Sequence, residues 1–441
     1  LCLNKNTLNK IYQKINIDNF TPIKTYFLLS LNEKVANNKG EMVMQLILSI
    51  LCLGILVPMT QAAHQASKQI PLFRAYPALG KKIPYINLGN FPTPIYKAEA
   101  FANRLNIKNF YIKRDDLSGL QIPNNTILPG GNKVRKLEFL LADALTFGAS
   151  SVLTVGDAGS NHAMTTAAYA QHLGLKSFLM LAPQPPTAYT RRNLLLDVYF
   201  GADIRYFSSS AQRDVAITKL ARDLNTQKQP LPYFIPIGGS NEIGSIGFIN
   251  AAFELKEQIE AGIMPTPDII YVTCGSTGMV AGLMIGLKIA NISCTVIPVR
   301  VSMTAEHKKF LLLEILNKTA AYVHSHDTTV PLLHYTQEDV LIENNFIGPD
   351  YAAITQEASQ AIELLFSTEG IKLDGTYTGK TLAAVISDAQ QGKLGNKTIL
   401  FWNSFSAGDY KSFTNKIDYK KLPKGLHFYF ETQLQKLDQG Y

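Results

Sequence analysis

From about residue 75 to residue 405, short runs rich in β-branched and aromatic residues alternate with amphipathic stretches. FYIKRDD, SVLTVG, KSFLMLA, YFIPIGG, DIIYVTC, CTVIPVRVS and TILFWNSF have the length and composition of strands. HAMTTAAYAQHLG, GFINAAFELKEQIEAG and MVAGLMIGLKIAN have the length and spacing of helices. A further helix opens in PGGNKVRKLEFLL, where Leu137, Leu140, Leu141 and Leu145 recur at helical spacing, Asn132 offers an N-cap and Gly148 a stop. Strand and helix alternating in this way predict an α/β fold with parallel-rich twisted sheets flanked by helices. Ligand loops then belong at the carboxyl ends of the strands.

Three of those loops carry candidate chemistry. The first turn of the PGGNKVRKLEFLL helix holds Lys133, Arg135 and Lys136, although cations there are disfavoured by about 0.3–1 kcal/mol each. Lys133 and Lys136 share a face, so one amine could react while the other holds an anion; a solvated basic turn would read the same. In GDAGSNHA, Ser160, Asn161 and His162 open a helix after a strand, where free amides suit a carboxylate. Simple N-capping by Ser160 and Asn161, and a packed His162, are the plain alternatives. In CGSTGM, Gly275, Ser276, Thr277 and Gly278 join a strand to an apolar helix, and their amides and hydroxyls can converge on a phosphate. A tight turn with an N-cap is the alternative. Together, a reactive amine, a carboxylate-binding helix start and a phosphate cup meet the needs of a pyridoxal 5'-phosphate (PLP) enzyme.

Two other motifs carry less. GTYTGKT has three residues between its glycines where a nucleotide-binding P-loop needs four. HSHD lacks a second matching cluster, so no metal site is expected.

Composition bounds the rest. A chain of 441 residues, 46% hydrophobic and 17% charged, exceeds one ordinary core and predicts two packed domains. Three of its eight net positive charges fall in residues 1–41, and no basic block interleaved with aromatics suggests a nucleic-acid partner. Residues 1–41 read as a disordered extension. Residues 42–63 contain LILSILCLGILVPM, too short for a stable membrane span but of signal-peptide length. Export is therefore open beside a cytoplasmic location. The four cysteines define no disulfide framework, and Cys274 and Cys294 read as buried thiols at strand ends.

GGNKVRKLEFLLADA, SNHAMTTAAYA, GSTGMVAGL and YTGK, in this order, resemble the D-cysteine desulfhydrase and 1-aminocyclopropane-1-carboxylate (ACC) deaminase family of fold-type-II, tryptophan-synthase-β-like PLP enzymes. The resemblance implies a cytoplasmic homodimer acting on a small amino acid. It also implies a large PLP domain over residues 75–135 plus 246–430 and a small domain over 136–245. Lys133 would bind the cofactor covalently, Lys136 and the Gly275, Ser276, Thr277, Gly278 loop would hold its phosphate, and Asn161 would contact its ring hydroxyl. Ser160, Asn161, His162 and Ser404 would sit at the substrate side, with Lys133 or the Ser160 hydroxyl as the catalytic base and Tyr377 and Tyr351 as active-site phenols. Thr378 stands where the deaminases are expected to carry Glu, and a hydroxyl cannot supply a charge to the ring nitrogen. Ser404 stands where they carry an apolar Leu. Both departures favour β-elimination from D-cysteine, giving pyruvate, sulfide and ammonia, over ACC deamination to α-ketobutyrate. A sulfonated or chlorinated alanine, or an exported binding protein without turnover, are the further alternatives. The insert QIPNNTILP before the glycine pair is a further departure that bears on the substrate.

Overall fold

The computed structural model describes residues 70–123 and 126–438; the expected extension and the apolar 42–63 segment lie outside them. The strands among the described residues are β1 (Ile95–Lys97), β2 (Asn109–Arg114), β3 (Gln121–Ile122), β4 (Thr126–Ile127), β5 (Ser151–Asp157), β6 (Lys176–Ala182), β7 (Asp203–Tyr206), β8 (Tyr233–Ile235), β9 (Ile269–Cys274), β10 (Thr295–Arg300) and β11 (Thr398–Asn403). Helices of twelve residues or more are α1 (Lys133–Thr146), α2 (Asn161–His172), α3 (Ala188–Tyr199), α4 (Ser210–Thr226), α5 (Glu242–Glu260), α6 (Gly278–Ile289), α7 (Ala305–His326), α8 (Gln356–Glu369) and α9 (Thr378–Gln390).

Two sheets result. The larger has the order β1-β2-β11-β9-β10, with β1 antiparallel to β2 and every other pairing parallel. The smaller, β7-β6-β5-β8, is parallel throughout. β3 and β4 form a separate hairpin inside the insert before the glycine pair.

Side chains of β9 and β11 alternate between two cores, as a pleated strand covered on both faces requires. Ile399 and Phe401 of β11, with Ile269 and Tyr271 of β9, pack with Leu365 of α8 and Leu382 of α9. Leu400 and Trp402, with Ile270 and Val272, pack with α5 and α6. The smaller sheet has its own core, where Val152 and Leu179 meet Met164, Leu194 and Leu196. α1 feeds both lobes: Phe139 joins the larger core, and Val134, Leu137, Leu140 and Leu141 join the smaller. The expected domain boundary at 135/136 therefore falls inside a continuous helix. Cys274 ends β9 and is buried; Cys294 precedes β10 and is half-buried. Among the described residues no helix is long and apolar enough to cross a membrane.

Candidate active site

The carboxyl ends of β5, β9 and β11 and the amino ends of α1, α2, α6 and α9 converge on a cavity of about 430 Å³. It is lined by Lys133, Lys136, Ser160, Asn161, His162, Gly275, Ser276, Thr277, Tyr351, Tyr377 and Ser404. Gly278 and Thr378 are not among the lining residues, although their chain neighbours Thr277 and Tyr377 are. Asp157, Arg213, Met279 and Asp374, none of them singled out by sequence, are also among its lining residues.

The glycine pair explains how α1 presents its lysines. Gly131 has φ +95°, and a Cβ there would stand 3.1 Å from the Ser404 carbonyl oxygen. The Asn132 amide donates to that carbonyl at 3.2 Å, docking the turn on the loop after β11. Asn132 occupies the N-cap position but, contrary to expectation, does not cap. Its backbone is already helical (φ −61°, ψ −15°) and its side-chain Nδ2 donates to Met279 Sδ at 3.2 Å. The first turn is therefore set by glycine and by docking, not by a side-chain cap.

The three cations then diverge. Burial lowers the Lys133 pKa to about 8 against the opposing pull of Asp374. Burial, and then the charge of Lys133, push Lys136 well below its usual value. Arg135 turns away into the larger lobe, where it is buried and bonds Asp115, Glu254 and the Thr93 hydroxyl at 2.8–3.0 Å. Phe91 lies 4.3 Å from the guanidinium, and Lys113 completes the network on Glu254 at 2.6 Å.

Lys136 Nζ closes a polar cup. It donates to the Gly238 carbonyl (3.0 Å) and to Ser240 Oγ (2.8 Å); Ser240 in turn bonds Ser276 Oγ (2.7 Å) and accepts the Gly278 amide (3.2 Å). A Cβ at Gly238 would meet Ser276 Oγ at 2.1 Å, and one at Gly278 would stand 3.0 Å from Lys136 Nζ. Cation, hydroxyls and the amino end of α6 are the kinds of group that could hold an anion such as a phosphate. Ser240 was missed in the sequence, although IGGS after a strand repeats the Gly/Ser chemistry of the CGSTGM loop.

His162 is packed at 2% exposure, and both ring nitrogens lack a hydrogen-bond partner. Burial, then Lys133 and Lys136, hold its pKa well below the usual histidine range, so the ring is neutral. Buried polar atoms left unpaired are costly, and a bound ligand is the natural source of partners. Ser160 caps α2, its Oγ accepting the Ala163 amide at 3.1 Å, while the Asn161 and His162 amides begin the helix.

On the opposite wall, Tyr351 and Tyr377 share a short hydrogen bond between their phenol oxygens. Burial, followed by the charge of its neighbours, keeps each phenol protonated. Behind them Asp374 accepts the amides of Thr376 (2.9 Å), Tyr377 (2.6 Å) and Thr378 (3.2 Å) and the Thr378 hydroxyl (2.8 Å). Burial raises its pKa against these bonds. Thr378 Oγ also accepts the Asp374 amide at 3.0 Å, so this hydroxyl is engaged with Asp374. The signal for Asp374 was present in LDGTYTGK, where an Asp before Gly and Thr can fold the chain onto its own carboxylate. Asp157, at the end of β5, has its pKa raised to about 6 by burial against the pull of Arg213.

Residues 86–404 match the pyridoxal-phosphate dependent enzyme family. The chain belongs to that family. Within it, a putative 1-aminocyclopropane-1-carboxylate deaminase of Pyrococcus horikoshii is 32% identical over 335 residues, covering 76% of this chain and 95% of the relative. A protein of the same description from Pyrococcus abyssi is 32% identical over 326 residues, 74% of this chain and 92% of its own. A crystal structure of an ACC deaminase homologue superimposes with a TM-score of 0.64 at 32% identity, covering 77% of this chain and 97% of its own. Threonine deaminase isoform 2 of Solanum lycopersicum, at 17% identity and a TM-score of 0.51, shares the fold. The protein is thus a fold-type-II PLP enzyme of the ACC-deaminase-like group, a lyase or deaminase acting on a small amino acid.

The residues of the cavity fit PLP. The cup of Lys136, Ser240 and Ser276 suits its phosphate, Lys133 supplies a primary amine on the same helix face, and the orphaned His162 nitrogens await partners.

Proposed function

We propose that this enzyme deaminates ACC, consuming water to give α-ketobutyrate and ammonia. The observation that carries this reading is Asp374, a buried carboxylate facing the cavity beside Tyr377 and acting electrostatically on Lys133. When bound, PLP withdraws electrons from the substrate's Cα, and opening a cyclopropane asks more of that sink than expelling a thiolate does. The charge that Thr378 lacks is supplied by the carboxylate it hydrogen-bonds, which weakens the argument from Thr378 against ACC. The ACC-deaminase descriptions of the relatives at 32% identity support the same reading.

In this proposal Lys133 anchors the cofactor, and its amine then takes or returns a proton at the substrate. Lys136, Ser240, Gly275, Ser276, Thr277 and Gly278 hold the phosphate, and Asn161 donates to the ring oxygen. The substrate carboxylate docks on the amides that open α2, with Ser160 and His162 beside it. Tyr351 and Tyr377, both protonated, hold a proton that one phenol can pass through the other to the substrate's carbon framework. Thr378 acts through Asp374.

A second reading is D-cysteine, converted with water to pyruvate, sulfide and ammonia. The polar wall made by Ser404 and Asp157 favours it, because a cyclopropane offers those groups no hydrogen bond. PLP-loaded protein should release α-ketobutyrate from ACC at a higher kcat/KM than it releases sulfide from D-cysteine. Sulfide release with ACC inert would sink the ACC reading in favour of the second. In Lys133→Ala the visible absorbance band acquired with PLP should be absent, and a wild-type chain that never acquires the band would refute both.

A further inference from the structure

We propose that Arg192 and Asn193 form a polar relay that fixes the Asn161 amide so that it offers only N–H donors to the cavity, and that Asn193 is thereby a positioning residue for an anionic ligand oxygen. The part concerning PLP rests on the cofactor reading above; the orientation of the amide does not.

The chemistry of the partners forces the orientation. Arg192, which can only donate, places Nε at 3.2 Å and Nη2 at 3.0 Å from one end of the Asn193 amide, so that end is the oxygen. The other end lies 2.9 Å from the Gly159 carbonyl, which can only accept, so it is the nitrogen. That same nitrogen lies 2.8 Å from the Asn161 side chain, whose facing atom must therefore be its oxygen. The Asn161 nitrogen is left for the cavity, which this residue lines. Asn193 itself is fully buried.

Arg192 is held as firmly as the amide it orients. Its Nη1 donates to the Ser406 carbonyl at 3.0 Å, and its guanidinium lies 5.4 Å from the Phe405 ring and 5.3 Å from the Tyr410 ring. The relay therefore links the loop after β11, which carries Ser404, to the start of α2, which carries Asn161. A donor-only amide selects an acceptor. It favours the deprotonated form of a ring oxygen and lowers that oxygen's appetite for a proton.

The discriminating variant is Asn193→Asp, which keeps the Arg192 bonds but replaces the donor by an acceptor, so the Asn161 amide turns over and presents its oxygen. The relay predicts a PLP dissociation constant raised about tenfold and an upward shift in the pH midpoint of the visible band, beside a lower Tm because the bond from this side chain to the Gly159 carbonyl is lost as well. Asn193→Ala should show a smaller rise in the dissociation constant and a shift in the same direction. Unchanged PLP affinity and midpoint in both variants would overturn the proposal. Neutron diffraction of the cofactor-free wild type reads the orientation directly: amide deuterons of Asn161 on the cavity side support the relay, and deuterons toward Asn193 overturn it. A wild type that fails to take up PLP would remove the cofactor reading while leaving the neutron result to decide the relay.

Discussion

Lys133, Arg135 and Lys136 show how three cations in one helical turn come to have three environments. Lys133, its pKa lowered to about 8, is increasingly the free amine as pH rises through that value, and only the free amine attacks a carbonyl carbon. The rate of visible-band formation on mixing with PLP should therefore climb between pH 6 and 9 with a midpoint near 8; a rate flat over that range would contradict the assignment. Arg135 is structural. Arg135→Met would strand the carboxylates of Asp115 and Glu254 beneath the sheet, and a loss of about 3–5 kcal/mol in urea unfolding is expected. Arg135 falls off the face that Lys133 and Lys136 share, and its carboxylate partners lie 20 and 119 residues away, so only the fold could pair it.

At the scale of elements, close helix packing holds the cavity-lining face of α1 in place. A Cβ at Gly247 of α5 would come within 2.0 Å of the Arg135 carbonyl oxygen, and one at Gly282 of α6 within 2.2 Å of the Ser245 carbonyl oxygen. Gly247→Ala must push α5 away from α1, so a destabilisation of about 1–3 kcal/mol is expected, read as a lower urea midpoint. The strands of both sheets other than β1, β7 and the β3–β4 hairpin were legible, because both faces are covered and their apolar runs are nearly unbroken. β7 was not, since DIRY is half exposed at a sheet edge. Nor was α4 singled out, where Arg213, Ile217, Leu220 and Ala221 are the buried residues among seventeen. A helix resting lightly on its sheet leaves only a faint apolar stripe.

For the molecule as a whole, the buried charge network of the larger lobe ties stability to pH. The charges of Arg135 and Lys113 overcome burial and hold Glu254 at about 2, below its usual value. A carboxylate with a depressed folded-state pKa contributes stability that is present above its unfolded pKa of about 4.3 and is lost as pH falls toward 2. Unfolding midpoints should decline over that window, and less steeply in Glu254→Gln, which is less stable at neutral pH. The crowding of Lys133, Lys136 and His162 implies the converse for ligands: inorganic phosphate should raise Tm and compete with PLP. Saturation at a hundred times its dissociation constant corresponds to about 2.7 kcal/mol. The C-terminal segment ties the lobes together, with Gln435 bonding the Pro186 and Ala352 carbonyls at 3.2 and 2.9 Å and receiving the Ile354 amide at 3.0 Å.

The sequence by itself determined the α/β class and most strands, because apolar periodicity follows from burial on one or both faces of an element. It also marked three helix starts rich in Gly, Ser, Asn and Lys, which the structure brings to the edge of one cavity. Tertiary structure decided what those loops face. Asp374 reaches the cavity only because its own turn packs beneath Tyr377, Ser240 joins the phosphate cup from a loop 36 residues before Ser276, and Asn193 orients Asn161 from the next helix. Contacts of that kind depend on how distant segments meet after the sheets have formed, and no local pattern encodes the meeting.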